Sequence, residues 1–136
     1  MKTTTKIILL VATLAMVSCT AARQLASRIE GEWVIEEYEV LFANGSETKM
    51  ENAGTIIFYR NGRGQQTFTS AITQLDASNT GDFRWDNTGE VIFIWGQGAQ
   101  FRKAWIVVDS TRNKQVWRST DNEGNVQAMT LRKKKD

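Results

Sequence analysis

The chain has 136 residues, among them 17 Lys and Arg, 15 Asp and Glu, no His, no Pro and a single Cys. That length suits one domain. Without histidine the commonest general base and metal ligand is missing, without a second cysteine there is no intrachain disulfide, and a formal charge of +2 makes no basic field of the kind that recruits nucleic acid, so no such partner is expected.

Lys2 and Lys6 precede an apolar run from Ile7 to Val17, broken only by Thr13, and Ser18-Cys19 follows. A charged start, an apolar run of roughly 7–15 residues and a small residue before the cut define a secretory signal. The run is shorter than the roughly 20 residues of a membrane-spanning helix. The segment Met16-Val17-Ser18-Cys19 resembles a bacterial lipobox, with its leucine at Leu14, five residues before the cysteine. The resemblance implies that residues 1–18 are a lipoprotein signal peptide, that Cys19 is cut free and acylated, that 19–28 is a lipidated tether and that 29–136 is the exported domain. Several acyl chains hold a protein to a membrane where one binds marginally. Removal of the signal takes away Lys2 and Lys6 and no acid, leaving 15 residues of each sign. Thr20 after the cysteine, and Ala21 to Gln24 without an acidic run, imply by the same resemblance an outer-membrane anchor with the domain facing the periplasm. The basic tail Arg132-Lys133-Lys134-Lys135 reads as a solvated end or as a contact for anionic lipid.

Thr20 to Ser27 is small and polar, as a tether would be, with at most a single helical turn over Arg23 to Glu30. Strand character begins after Gly31. Glu32 to Phe42 predicts the first strand, and Glu36-Glu37 interrupts its alternation, which predicts a bulge. Asn44-Gly45 is a turn signal, within the longest connection, Ala43 to Gly54. Thr55 to Arg60, the turn Asn61-Gly62 and Gln65 to Ile72 form the clearest hairpin. Asn79-Thr80-Gly81 turns into Asp82 to Trp85, and Asn87-Thr88-Gly89 turns back into Glu90 to Trp95. Gly96-Gln97-Gly98 leads to Arg102 to Val108, Ser110 to Asn113 to Lys114 to Ser119, and Asp121 to Gly124 to Asn125 to Arg132. Eight short consecutive strands predict an all-β fold, a sandwich or an antiparallel up-and-down barrel that closes on itself.

Gly31-Glu32-Trp33, Gly54-Thr55-Ile56-Ile57-Phe58 running into Asn61-Gly62-Arg63-Gly64, Phe83-Arg84-Trp85 ahead of Gly89, and Met129-Thr130-Leu131-Arg132-Lys133 together resemble the small lipocalin-like lipoproteins of Bacteroidetes-type bacteria. The resemblance spans about Ile29 to Lys133. It implies an eight-stranded lipocalin-like (calycin-like) barrel in which Gly31 and Trp33 open the first strand and Trp33 closes the floor. Arg132 is the implied basic residue across its ring, a cation–π contact of roughly 0.5–2 kcal/mol.

Catalytic groups are sparse. No Gly-x-Ser-x-Gly and no phosphate loop occurs, and Gly62-Arg63-Gly64 is a hairpin turn without the helix a phosphate site uses. Glu30, Glu32, Glu36, Glu37 and Glu39 read as a solvated strand face, or as a cation attractor. Asp121 to Asn125 is too short for an EF-hand and reads as a turn. The expectation is therefore no enzyme, no cofactor and no metal. The aromatic residues Tyr38, Phe58, Phe68, Trp85, Phe93, Trp95, Trp105 and Trp117 lie on different strands and read either as core or as the lining of a pocket for a small hydrophobic ligand. Two functions remain open: an envelope-anchored barrel that carries such a ligand, or a filled barrel that offers its loops, Ala43 to Gly54 and Gly96 to Gln100, to an envelope protein or glycan. The default oligomeric state is a monomer.

Overall fold

The computed structural model describes residues 20–68, 79–96 and 103–135. The signal segment, Cys19, the expected third strand beyond Phe68 and the loop after Gly96 lie outside the described residues.

Helix α1 covers 20–29. Eight strands follow: β1 (Gly31–Leu41), β2 (Glu47–Phe58), β3 (Arg63–Phe68), β4 (Asn79–Asn87), β5 (Val91–Trp95), β6 (Lys103–Ser110), β7 (Lys114–Thr120) and β8 (Val126–Lys133). Each pairs antiparallel with the next, and β1 also pairs with β8, so the sheet is a closed barrel and not a sandwich. Closure removes the exposed edges that an open eight-stranded sheet would carry.

The expected bulge is present. β1 runs in register with β8 from Trp33 to Ile35, slips at Glu36 and resumes with Glu37 opposite Thr130. The shift is shared by β2, where Asn52 takes a left-handed φ of 51° and Gly54 a φ of 150°. This bend leaves Trp33 and Ile35 inward before the slip and Tyr38 inward after it.

The expected long connection Ala43 to Gly54 is mostly strand. Only the turn around Asn44-Gly45 separates β1 from β2, closed by Phe42 N–H on Ser46 O (2.8 Å) and Gly45 N–H on Phe42 O (2.9 Å). The first part of β2, Glu47 to Asn52, is almost wholly exposed. Water on both sides of that stretch removes the apolar alternation by which a strand is recognised.

The expected tether is also structured. α1 buries Leu25 and Ile29, four residues apart and hence on one face, against the barrel. The end of the barrel where β1 begins and β8 finishes is called the lower end here; α1 covers it. The interior above is a continuous apolar cluster that includes Ile56, Phe58, Phe83, Trp85, Ile92, Ile94, Trp105, Trp117, Met129 and Leu131.

Candidate functional site

The floor of the barrel shows why its residue types are needed. α1 ends with carbonyls that no intrahelical N–H reaches. Trp33, fully buried, donates its indole N–H to Ile29 O at 2.7 Å. Lys133 donates Nζ–H to Glu30 O at 2.5 Å, and the same ammonium stands 4.8 Å from the centre of the Trp33 ring. A cation at a helix C-terminus is favourable both for the orphan carbonyl and for the helix dipole. A Cβ on residue 31 would collide with the Lys133 ammonium, so Gly31 leaves the space through which that side chain reaches the floor.

The expected closing residue, Arg132, is therefore replaced by its neighbour. Trp33 lies opposite Lys133 in the β1–β8 ladder, whereas Arg132 lies opposite Val34. Side chains alternate across a strand, so Arg132 points outward, where it meets Glu36 at 3.4 Å with half of its side chain in water.

The eight aromatic residues nominated for a pocket divide. Phe58, Phe68, Trp85, Trp105 and Trp117 are buried inside the barrel, and Tyr38 is half-buried at its upper part. Phe93 and Trp95 are not in the interior: they are 40% and 41% exposed on the outer face. β5 reads Val-Ile-Phe-Ile-Trp, apolar at every position, so its own pattern does not say which side faces in. Pairing decides it, because Ile94 lies opposite buried Trp85 and Ile92 opposite buried Trp105. The inner rings pack on one another. Phe58 meets Phe83, Trp85 and Trp117 edge to face, with centroids 5.5, 5.3 and 5.7 Å apart. The Trp85 indole N–H is held between Tyr59 O (3.1 Å) and Arg63 O (3.0 Å).

The upper interior is more polar. Lys103 stands 5.3 Å from the centre of the Trp105 ring, and burial holds its ammonium below the ordinary lysine pKa against the opposing charge of Asp121. Burial, then the Asp121 charge, pushes the Tyr38 phenol up. Gln127 faces inward and is almost fully buried; its Nε2 donates to Asp121 Oδ2 at 3.2 Å, while its Oε1 has no partner among the described residues.

Asp121 organises the β7–β8 turn. It accepts from Asn125 Nδ2 (3.0 Å), Asn125 N–H (3.0 Å) and Glu123 N–H (2.9 Å), and these bonds, led by the Asn125 side chain, hold its carboxyl below its ordinary pKa of 3.8. A carboxyl whose folded pKa is depressed stabilises the fold above its unfolded pKa and loses that contribution as pH falls through the folded value. Asp121→Ala is thus expected to melt below the wild type at neutral pH, with the gap closing below about pH 4. Thermal melts of both proteins across pH check this; a gap of constant width would contradict it.

Four of the five clustered glutamates are engaged on the surface: Glu37 with Lys49 (3.2 Å), Glu30 with Arg60 (3.5 Å), Glu36 with Arg132 (3.4 Å) and Glu32 with Lys134 (3.0 Å). Among the described residues no group of three or more His, Cys, Asp or Glu is placed to hold a metal ion. A spacing that sequence reasoning passed over, Ser46-Glu47-Thr48-Lys49, has the Ser-x-x-Lys form of some nucleophilic sites. Here Ser46 Oγ donates to Asn44 Oδ1 (2.6 Å), and the hydrogen bond to Glu37 raises the pKa of exposed Lys49, away from what a base requires.

Among the described residues, depressions outside the barrel include two that gather charged side chains. One, at the lower end beside α1, is lined in part by Arg23, Arg28, Arg112 and Lys133. The other is a groove of about 760 Å³ across β3, β4 and β5. Its walls carry Tyr59, Arg63, Arg84 and Trp95, which sequence reading did not bring together. Arg63 pairs with Arg84 and Arg84 with Trp95, so the three form one outward row. Single-strand alternation gives the outward phase of Arg84 between Phe83 and Trp85; only the register across three strands makes the row.

No protein-family model matches the chain, and no curated protein matches it. Among solved structures it is similar to a redesigned β-barrel, at 12% identity over 82% of this chain and 96% of that one, with a TM-score of 0.49. It is also similar to a de novo designed fluorescence-activating β-barrel, at 13% identity over 80% of this chain and 96% of that one, with a TM-score of 0.43. The barrel assignment rests on the strand pairing of the chain itself.

Proposed function

We propose that this chain is a non-catalytic, lipocalin-like envelope lipoprotein, anchored through Cys19, whose filled barrel is a scaffold for binding at its surface. The observation that carries the reading is the packing of Phe58 against Phe83, Trp85 and Trp117: the aromatic residues that would line a carrier's pocket are in contact with each other. Edge-to-face pairs contribute about 0.5–1.5 kcal/mol each beyond their burial, and a ligand among them would have to displace those contacts. The anchor fits the same picture. The residue after Cys19 begins α1, α1 covers the lower end, and Arg23, Arg28 and Arg112 gather there, where they would face anionic headgroups.

A second reading keeps a small ligand at the upper end, above Trp105. It is favoured by the buried Gln127 Oε1 that lacks a partner among the described residues, since such a group ordinarily finds one.

Native mass spectrometry of the purified domain separates the two. The surface reading expects the polypeptide mass alone; a stoichiometric apolar molecule carried through purification would overturn it in favour of the upper-end site. For the anchor, labelled fatty acid is expected to enter the wild type and not Cys19→Ala, and equal labelling of both would refute the anchoring.

A further inference from the structure

The row Arg63–Arg84–Trp95 is costly as pure scaffold. Like charges directly opposite on neighbouring strands repel, yet Arg63 and Arg84 face each other across β3 and β4. Both are exposed, and neither has a carboxylate partner among the described residues. Other surface cations do have partners: Lys49, Arg60, Arg132 and Lys134 each have a glutamate. The next position in the row is an exposed indole, and Tyr59, 46% exposed, borders the same groove.

We propose that this groove binds an acidic saccharide, with the anionic group held between the Arg63 and Arg84 guanidiniums and a sugar ring laid on Trp95. Two guanidiniums side by side present a fork of donors suited to a carboxylate or sulfate. A bare anion would need no more than that. The exposed indole adds a flat apolar face, which suits the C–H face of a pyranose and gives a small inorganic anion nothing. Asp82, which accepts from Gln65 Nε2 at 3.4 Å, lies at the edge of the groove and is a ready acceptor for a sugar hydroxyl. This assignment deepens the surface-binding reading and rests on it.

Calorimetric titration tests it with an oligogalacturonate, a neutral cello-oligosaccharide and inorganic phosphate as probes. The oligogalacturonate is expected to bind with an affinity that falls as salt rises, and to bind about tenfold more tightly than either other probe. Arg84→Gln and Arg63→Gln are each expected to weaken it about tenfold or more, as loss of a charge-assisted hydrogen bond does. Trp95→Phe should remove the change in tryptophan fluorescence on binding, because the other tryptophans are buried. All three positions are exposed, and circular dichroism confirms that each variant folds. Equal affinity for wild type and both arginine variants would overturn the proposal. So would phosphate binding as tightly as the saccharide, which would make the row a bare anion site, or no binding of the oligogalacturonate. A ligand-free native mass alongside such a failure would leave surface binding standing without this ligand, so the two readings fail separately.

Discussion

Trp33→Ala is expected to destabilise the protein by about 3–5 kcal/mol, the cost of emptying a fully buried large ring. It also strips Ile29 O of its indole donor. Lys133→Met keeps the aliphatic stem and removes the ammonium, and should cost about 1–2 kcal/mol through the lost cation–π contact and the bare Glu30 carbonyl. The two losses should not add, because the ammonium stands over the ring that the first mutation removes. Arg132→Ala should cost about 0.5 kcal/mol or less, as expected of an exposed ion pair, and should add to Trp33→Ala. Chemical denaturation of the single and double variants reads both cycles. Coupling of Trp33 to Arg132 but not to Lys133 would restore the closure implied by resemblance and refute the one described above.

Gly54→Ala should be nearly as damaging, on the order of 3 kcal/mol or more. Two causes combine. Gly54 has a φ of 150°, which an L side chain rarely adopts, and a Cβ built there would run into the backbone carbonyl of Thr67 on the paired strand. Gly45 separates the causes. Its φ is 89°, but a Cβ there meets nothing within 4 Å, so Gly45→Ala should cost only the conformational strain, about 1–2 kcal/mol. Denaturation midpoints compare the two directly. Similar losses at both positions would mean that β2 moves away from β3 at little cost, and that the bend at Asn52 to Gly54 is softer than its backbone implies.

The charged start with its apolar run, the single cysteine and the lack of histidine are properties of residue order and composition, and no fold alters them. Eight strands were legible because turns carry Asn-Gly, Asn87-Thr88-Gly89 and Asp-Asn-Glu-Gly, and because one face of most strands is apolar; the expected turn Asn79-Thr80-Gly81 is instead the start of β4, paired with Gln66 to Phe68 of β3. The bulge at Glu36 was legible because two adjacent glutamates break that alternation. Where the physical signal depends on a neighbour, residue order was silent. Glu47 to Asn52 is a strand because β1 lies beside it, not because it buries a face. Residues 20–29 are a helix against the lower end because Leu25 and Ile29 find an apolar barrel end to cover; ten residues alone lie below the length at which a helix persists in water. Phe93 and Trp95 face out, and Lys133 rather than Arg132 meets Trp33, because the phase of a strand is set by what it pairs with, and a shift of one residue exchanges its two faces. The Arg63–Arg84–Trp95 row exists only in that register: positions 63, 84 and 95 have no spacing in the chain that would mark them, and the pairing of β3, β4 and β5 alone sets them side by side.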